Sequence, residues 1–282
     1  VLTPRPGRGV YIAEIAVRGA ADSTAAQAAD LAAGRFTTVA LADVTGDGQV
    51  EALAGSTSGR VVGINLDGTT LWDADFASPV RALAGVAFDG TGAPGAVVVG
   101  GDSDTVRAFA GRDGAALWTH TIDRYKTAGD VGVMFTADLD GQGRQVAVAG
   151  SRNWRYHVLD RDGTKRWHYE SVHLSTAGTA ADLDADGRQE LLLGTAYYGW
   201  FAVKPEGTTL WRYSTRGGPG CNVVAAGDVT GDGTPEVFFG GQDALVQAAS
   251  AKGEALWQFN TGDEVSGLAV IDSDGDGRSE VV

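Results

Sequence analysis

Cysteine, methionine, proline and histidine are all scarce in this chain of 282 residues. There is one cysteine (Cys221), one methionine (Met134), 7 prolines and 4 histidines. A lone cysteine excludes an intrachain disulfide and a cysteine-based zinc site. No apolar run approaches the ~20 residues of a membrane span, and no signal-peptide pattern opens the chain. Because the only methionine is Met134, Val1 does not read as a translation start, and a mature, trimmed or fragmentary product is expected. Positive charge is also in deficit: 22 Lys and Arg against 36 Asp and Glu give a net charge of −14. That balance argues against a general binder of nucleic acid or anionic membranes, whose phosphates reward the opposite sign. The histidines His120, His157, His168 and His173 form neither H-E-x-x-H nor H-x-H, and no G-x-S-x-G elbow is present, so neither a zinc enzyme nor a serine hydrolase is expected.

Glycine and aspartate are in excess. The 42 glycines are about twice the usual ~7% and follow no G-X-Y period, which excludes collagen and implies dense turns. The acids divide into 27 Asp and 9 Glu, a bias toward the short carboxylate of turns and metal loops. With 43% apolar residues the chain has the composition of a folded protein, and its length suffices for one large domain.

A repeat organises the sequence. Each unit holds an Asp-rich turn, a short apolar run, a polar tip, a second apolar run, a glycine turn and a tryptophan. The closing tryptophans Trp72, Trp118, Trp167, Trp211 and Trp257 are spaced by 46, 49, 44 and 46 residues, and each lies four residues after a glycine. Short apolar runs between turn signals at this period predict one four-stranded β-blade per repeat, and hence an all-β protein, a β-propeller. Runs such as Val80–Val86 and Val265–Ile271 read as the inner strand A; the Asp loop joins A to B, the polar tip B to C, and the Asp-Gly turn C to D. The expected blades cover about 36–75, 80–121, 131–171, 176–215 and 222–261, within a single domain over 1–282. A sixth, composite blade takes 265–282 and an N-terminal segment, 8–19, closing a six-bladed ring; the alternative is a fragment of a seven- or eight-bladed parent. The one expected helix is the Ala-rich stretch Asp22–Ala33.

Four of the A–B loops read D-x-[DT]-x-D-G-x-x-E. They are Asp43, Thr45, Asp47, Gln49, Glu51; Asp182, Asp184, Asp186, Arg188, Glu190; Asp228, Thr230, Asp232, Thr234, Glu236; and Asp272, Asp274, Asp276, Arg278, Glu280. Positions 1, 3 and 5 offer side-chain oxygens, position 7 a backbone carbonyl and position 9 a closing carboxylate. An all-oxygen, flexible shell of this kind suits Ca²⁺ better than zinc or magnesium. About four structural calcium sites are therefore expected, each tying a loop to its sheet, and they would offset more than half of the net charge. The second and third repeats have lost the pattern, at Asp89–Gly95 and at Gln142 and Val146, and are expected not to bind calcium well. Gly90–Gly95 matches G-x-G-x-x-G but precedes a strand, which is the wrong context for a dinucleotide.

These loops resemble the FG-GAP and VCBS-type repeats of integrin-α-like propellers, with calcium loops D-x-D-x-D-G-x-x-[DE], over nearly the whole chain. The pairs Gly68/Trp72, Gly114/Trp118, Gly163/Trp167, Gly207/Trp211 and Gly253/Trp257 resemble the repeats of PQQ-type, quinoprotein-like propellers, whose tryptophan docks blade against blade. The quinone-dependent members have more blades and a vicinal disulfide in many cases, so with one cysteine no PQQ is expected. Both resemblances imply the fold and leave the function open.

Ligand candidates lie on the face of the B–C and D–A connections, opposite the calcium loops. Most B–C tips are small and polar, whereas repeats three and four carry Trp154 and Arg155, and Tyr197 and Tyr198, flanked by Tyr125 and Arg212. Tyr156 and Trp200 belong by alternation to strand C. Exposed aromatics beside arginine suit a sugar ring or a protein partner. The expectation is an extracellular or cell-surface binding module for carbohydrate or protein. The alternative is a polysaccharide (polyuronate) lyase in which Lys126, Tyr125, His173 and Arg124 supply base and cation.

Overall fold

A computed structural model describes residues 35–90, 95–197, 199–213, 220–273 and 279–282. Every regular element among them is a strand. Blade I comprises β1 (Phe36–Ala42), β2 (Glu51–Ser56), β3 (Arg60–Ile64) and β4 (Thr70–Asp75). Blade II comprises β5 (Val80–Val86), β6 (Ala96–Gly101), β7 (Thr105–Ala110) and β8 (Ala116–Thr121). Blade III comprises β9 (Val131–Ala137), β10 (Val146–Ser151), β11 (Arg155–Leu159) and β12 (Lys165–Glu170). Blade IV comprises β13 (Ser175–Ala181), β14 (Glu190–Thr195), β15 (Trp200–Val203) and β16 (Thr209–Tyr213). Blade V comprises β17 (Cys221–Gly227), β18 (Glu236–Gly241), β19 (Leu245–Ala249) and β20 (Ala255–Asn260). Each is an antiparallel meander in which neighbours in sequence pair in space. The architecture is the expected β-propeller of four-stranded blades.

A sixth sheet is formed by β21 (Val270–Ile271) and β22 (Glu280–Val281). The sequence predicts its strand A over Val265–Ile271, but only the last three of those residues pair along the sheet. The partner residues beyond the loop are few: Val270 faces Val281, Ile271 faces Glu280, and Ala269 exchanges backbone bonds with Val282. The helix expected over Asp22–Ala33 and the N-terminal segment expected to complete this blade lie outside the described residues.

The strands differ in burial for a geometric reason. Strands β6, β10, β14 and β18 are buried at every position, because a B strand has a neighbouring blade on both faces. They therefore read as unbroken apolar runs such as AVVVG and LLLG rather than alternating ones. The outer strand β12 alternates, half-buried and exposed, since one of its faces meets water. The core is consequently a series of layers between blades: Leu53, Val61 and Trp72 pack with Val97, Val99 and Phe109, and Val148, Tyr156 and Val158 with Leu191, Leu193 and Phe201.

Two glycine contacts repeat along the blades, the first at five described junctions and the second at the four between blades I and V. The first is near the end of strand B, where a Cβ on Gly55, Gly100 or Gly240 would stand 2.4 Å from a methyl of Val80, Val131 or Val265, the residue that opens the next region of chain facing it. At Gly194 the same place is taken by Cys221, whose Sγ would be 2.8 Å away. The single thiol is thus a packing group, and burial pushes its pKa up to about 12. The second contact joins a closing tryptophan to the next blade's C–D turn. Rings of Trp72, Trp118, Trp167 and Trp211 lie against Gly114, Gly163, Gly207 and Gly253, within 2.7–3.1 Å of where a Cβ would be. Indole nitrogens of Trp72, Trp118 and Trp211 donate to the carbonyls of Gly111, Arg161 and Ala251 at 2.6, 2.8 and 2.8 Å. Trp167 keeps the ring contact, but its buried Nε1 has no acceptor among the described residues; Pro205 stands in that turn where Arg161 and Ala251 stand in theirs.

Gly163 has φ +79° and a tryptophan on it, whereas Gly143 has φ +75° and open space around its Cβ position. Gly143→Ala should therefore cost only the left-handed backbone penalty, about 1 kcal/mol. Gly163→Ala should cost about 2–4 kcal/mol, because it also pushes Trp118 out of its seat. Urea unfolding midpoints of the two variants measure the difference; equal losses would show that the tryptophan seat does not matter.

Candidate functional site

The hydrogen bonds sort the connections into two faces. On one, B–C tips bond to D–A connections: Phe76 N–H to Gly59, Ile122 N–H to Asp104, Ser171 N–H to Trp154 and Thr261 N–H to Ala244. On the other, A–B loops and C–D turns meet, as in Gly111 N–H to Gly95 and Arg112 Nε to the Thr45 carbonyl.

The Asp loops share one construction. The position-9 glutamate turns back and accepts the amide of loop position 2: Val44 to Glu51, Leu183 to Glu190, Val229 to Glu236 and Ser273 to Glu280, at 2.8–3.0 Å. The position-1 aspartate accepts the amides of the turn, Gly46 and Gly48 to Asp43 and Gly231 and Gly233 to Asp228. Burial alone would raise the Asp43 pKa, but the amides of Gly46 and Gly48 together hold that carboxyl below the usual range. At Asp228 the Gly233 amide is the main cause of a lowered pKa. Glu190 goes the other way: burial raises its pKa, and Asp184, Asp186 and Asp182 add to the rise.

Carboxylate oxygens of Asp43, Asp47 and Glu51 lie within 4.8 Å of one another, and so do those of Asp182, Asp184 and Glu190. The oxygen-only set, with glutamates that are almost wholly buried, has the chemistry of a hard divalent cation site. Thr45 and Thr230 turn their hydroxyls to Glu51 and Glu236 at 3.4 Å, inside the same cup. Arg188 is paired with Asp186 at 2.6 Å, so only its backbone carbonyl is left for the loop centre. Asp274, Asp276 and Arg278 of the last loop lie outside the described residues.

In the worn third loop a guanidinium stands among the acids. Arg144 pairs with Asp140 at 2.5 Å and with Gln142 at 2.9 Å, while the ninth position is the buried Val146. In the second repeat, Asp89 is paired with Arg161 of the next blade at 2.5 Å. In both worn loops an aspartate is thus paired with an arginine. Arg144 and Arg161 line a polar cleft of about 590 Å³ between blades II and III, with Asp160, Asp162 and Arg166.

On the opposite face, the aromatic tips of blades III and IV come together. Trp154 stacks on His173 with ring centroids 5.0 Å apart, and His173 meets Tyr197 edge-on at 4.9 Å. Lys126 Nζ is 4.7 Å from the Tyr125 ring and 5.8 Å from that of Trp154, and Arg155 lies 3.8 Å over Tyr125. Tyr125 donates to Glu170 at 2.5 Å. Tyr125 and Tyr197 are 40% and 49% exposed, so this is a surface and not a core. Arg212 does not join it: it sits on β16 with its guanidinium 5.3 Å from Phe201. Tyr156 and Trp200 are buried within their strands. Tyr198 lies outside the described residues. The group suggested for proton abstraction is divided, since Arg124 is drawn to Asp104 at 3.1 Å and the Tyr125 hydroxyl is engaged by Glu170.

Trp154 has a left-handed backbone, φ +72°, at the tip position where blade I has Gly59 and blade V has Ala244. A bulky residue in that region is strained, and the strain is held by neighbours: the buried Asn153 bonds to the Asp123 carbonyl and to Ser151. No periodicity could reveal this, because the tip breaks the repeat instead of following it.

Residues 57–276 match the PQQ_2 family, the outer membrane protein assembly factor BamB. No curated protein is significantly similar in sequence. Among solved structures, BBS1N in complex with ARL6DN is similar with TM-score 0.66 and 10% identity, over 87% of this chain and 75% of that one. Saccharomyces cerevisiae Sqt1 is similar with TM-score 0.69 and 12% identity, over 87% and 67%. The V. cholerae biofilm matrix protein Bap1 is similar with TM-score 0.56 and 16% identity, over 83% and 40%. Identities this low show a shared fold alone.

If the Trp154 backbone is strained, removing the side chain should be nearly free. Trp154→Gly loses a ring stack worth about 0.5–1.5 kcal/mol and relieves a left-handed penalty of similar size. The urea midpoint should then correspond to a change below about 1 kcal/mol, against about 3–5 kcal/mol for a tryptophan that serves the core. A loss in the latter range would show that Trp154 is there for packing.

Proposed function

The chain belongs to the PQQ_2 family of BamB-like repeat proteins, and from that premise we propose that it is a calcium-stabilised interaction propeller. It engages a protein partner through the tips of blades III and IV. The observation that carries this reading is the aromatic and cationic group of exposed Tyr125, Lys126 and Tyr197 beside the partly buried Trp154 and Arg155, built around a strained tryptophan. Tryptophan, tyrosine and arginine are the side chains that anchor protein interfaces. Two names among the comparisons agree in kind: the family is that of an assembly factor, and BBS1N was solved with ARL6DN. Trp154 and His173 form a flat stacked pair, which also suits a sugar ring, and this favours a glycan as the second reading.

Calcium belongs to the same reading. The loops resemble those of FG-GAP and VCBS-type repeats, and among the described residues no side-chain cation pairs with the buried glutamate that gathers each loop. Exposed loops of this kind suit extracellular calcium levels, in keeping with a secreted or surface protein.

A photo-crosslinker at Tyr197 should recover one protein partner that is not recovered from Thr69 on the other face; equal recovery from both would refute the assignment. A glycan-array signal lost in Trp154→Gly would establish the carbohydrate reading, and product absorbance on a polyuronate lost in Lys126→Ala would establish a lyase. For the metal, chelation should lower Tm, and Glu190→Gln should change sign with it. In chelator the variant removes a buried charge beside three aspartates and raises Tm by about 2–4 °C; in excess Ca²⁺ it removes a ligand and lowers Tm by as much or more. The raised Glu190 pKa has its own consequence. The metal-free fold binds this proton more tightly than the unfolded chain, so its stability falls as pH rises through the interval between the two pKa values. Calcium should cancel that fall, which melting curves across the carboxylate range would show.

A further inference from the structure

His120, His157 and His168 lie on β8, β11 and β12, two of them in blade III and one in blade II. The blade junction brings them together: the His157 ring centroid is 6.1 Å from that of His120 and 5.7 Å from that of His168. His157 is completely buried, yet neither of its ring nitrogens has a partner among the described residues. His120 places Nδ1 3.0 Å from the Gly163 carbonyl. A carbonyl can only accept, so Nδ1 carries the proton and Nε2 presents a bare lone pair, which is buried and unpartnered as well. A backbone carbonyl holding one imidazole nitrogen so that the other can bind is the usual support of a metal-ligating histidine. His168 is exposed and stands at the open side of the group. The Asp123 carboxylate is within electrostatic reach of all three rings, and in this state it is paired with the Lys165 ammonium at 2.6 Å. Burial takes the His157 pKa down to about 3, so that ring is neutral at physiological pH, the form that binds metals.

We propose that His120, His157 and His168, with Asp123 as a fourth donor, form a site for a divalent transition metal of the Zn²⁺, Co²⁺, Ni²⁺ or Cu²⁺ type at the junction of blades II and III. Three imidazoles select these ions over calcium and magnesium, which prefer oxygen. The spacing sets how far the rings must move. A metal–nitrogen bond of about 2.0–2.1 Å puts a ring centroid about 3.2 Å from the metal and two ring centroids about 5.2 Å apart at a tetrahedral angle. The observed 5.7 and 6.1 Å both involve His157, and no three of the four donors yet have ligand atoms within 4.8 Å of one another. Binding therefore requires His120 and His168 to turn their nitrogens toward His157 and Asp123 to leave Lys165. The site is separate in its ligands from the Asp loops and does not depend on the proposed interaction function.

The full-length chain without a polyhistidine tag, held in excess Ca²⁺ so that the Asp loops do not compete, is titrated with Co²⁺ and followed by ligand-field absorption. Zn²⁺ then displaces the Co²⁺. One equivalent of Co²⁺ with intense, tetrahedral-type bands is expected. His168→Gln, a change on an exposed strand position, should weaken binding by at least about tenfold, and His120→Gln likewise. His157→Gln should abolish it, but because that residue is buried the decision rests on the other two, each checked for an unchanged circular dichroism spectrum. No stoichiometric uptake by the wild-type chain, or uptake undiminished in both His168→Gln and His120→Gln, overturns the proposal.

Discussion

The whole architecture rests on one contact: an indole ring of one blade lying flat under a glycine of the next blade's outer turn. A side chain at that glycine would occupy the space of the ring, so the two residues can be neighbours only as this pair. In three of the four junctions with this contact the same indole also donates its N–H to the turn. A directional bond and a steric fit together fix both the distance and the tilt between blades. The inner glycines near the end of strand B do the same near the axis. The B strands between these two contacts are then covered on both faces, and the large glycine content reflects close approach as much as turning.

Blade pairs are also stitched along the loop face, and the stitching explains residues that carry no metal. Gln145 and Gln189, at the eighth loop position, each exchange two bonds with the preceding blade, at Ala87 and Asp138. Gly95 makes the corresponding backbone bond to Val44. Pro235 occupies this position between blades IV and V and has no N–H to give. The intact loops add a buried glutamate that gathers the turn, while the worn third loop gathers its acids with Arg144. Buried glutamate and guanidinium each organise a tight turn crowded with carboxylates.

Function in a repeat protein lies where the repeat is broken. A tip position filled by Gly59 or Ala244 elsewhere is filled by Trp154 with the same left-handed backbone, and the surrounding rings and cations come from two blades and from the D–A connection between blades II and III. The histidines are a second departure. The place on β11 taken by His157 is filled by Val62, Arg107, Phe201 and Gln247 in the other blades, so the blade framework itself does not call for a histidine there.

The amino-acid sequence by itself determined the strand order, the blade repeat and the loop chemistry, because these depend on local periodicity. A tryptophan every 44–49 residues, Asp-Gly turns and apolar runs too short for helices leave few alternatives to four-stranded blades. It also marked Trp154 and Tyr197 as unusual tips. Tertiary structure alone decided which of these residues meet. Arg212 reads as a neighbour of the tips but points along an outer strand toward Phe201, since strand pairing and not sequence proximity sets its direction. His120 and His157 are 37 positions apart and match no motif, yet their rings are neighbours because adjacent blades stack face to face. Contacts within a blade recur at fixed spacing and can be read along the chain; contacts between blades depend on how two sheets are held together, and the tryptophan–glycine junction supplies that hold.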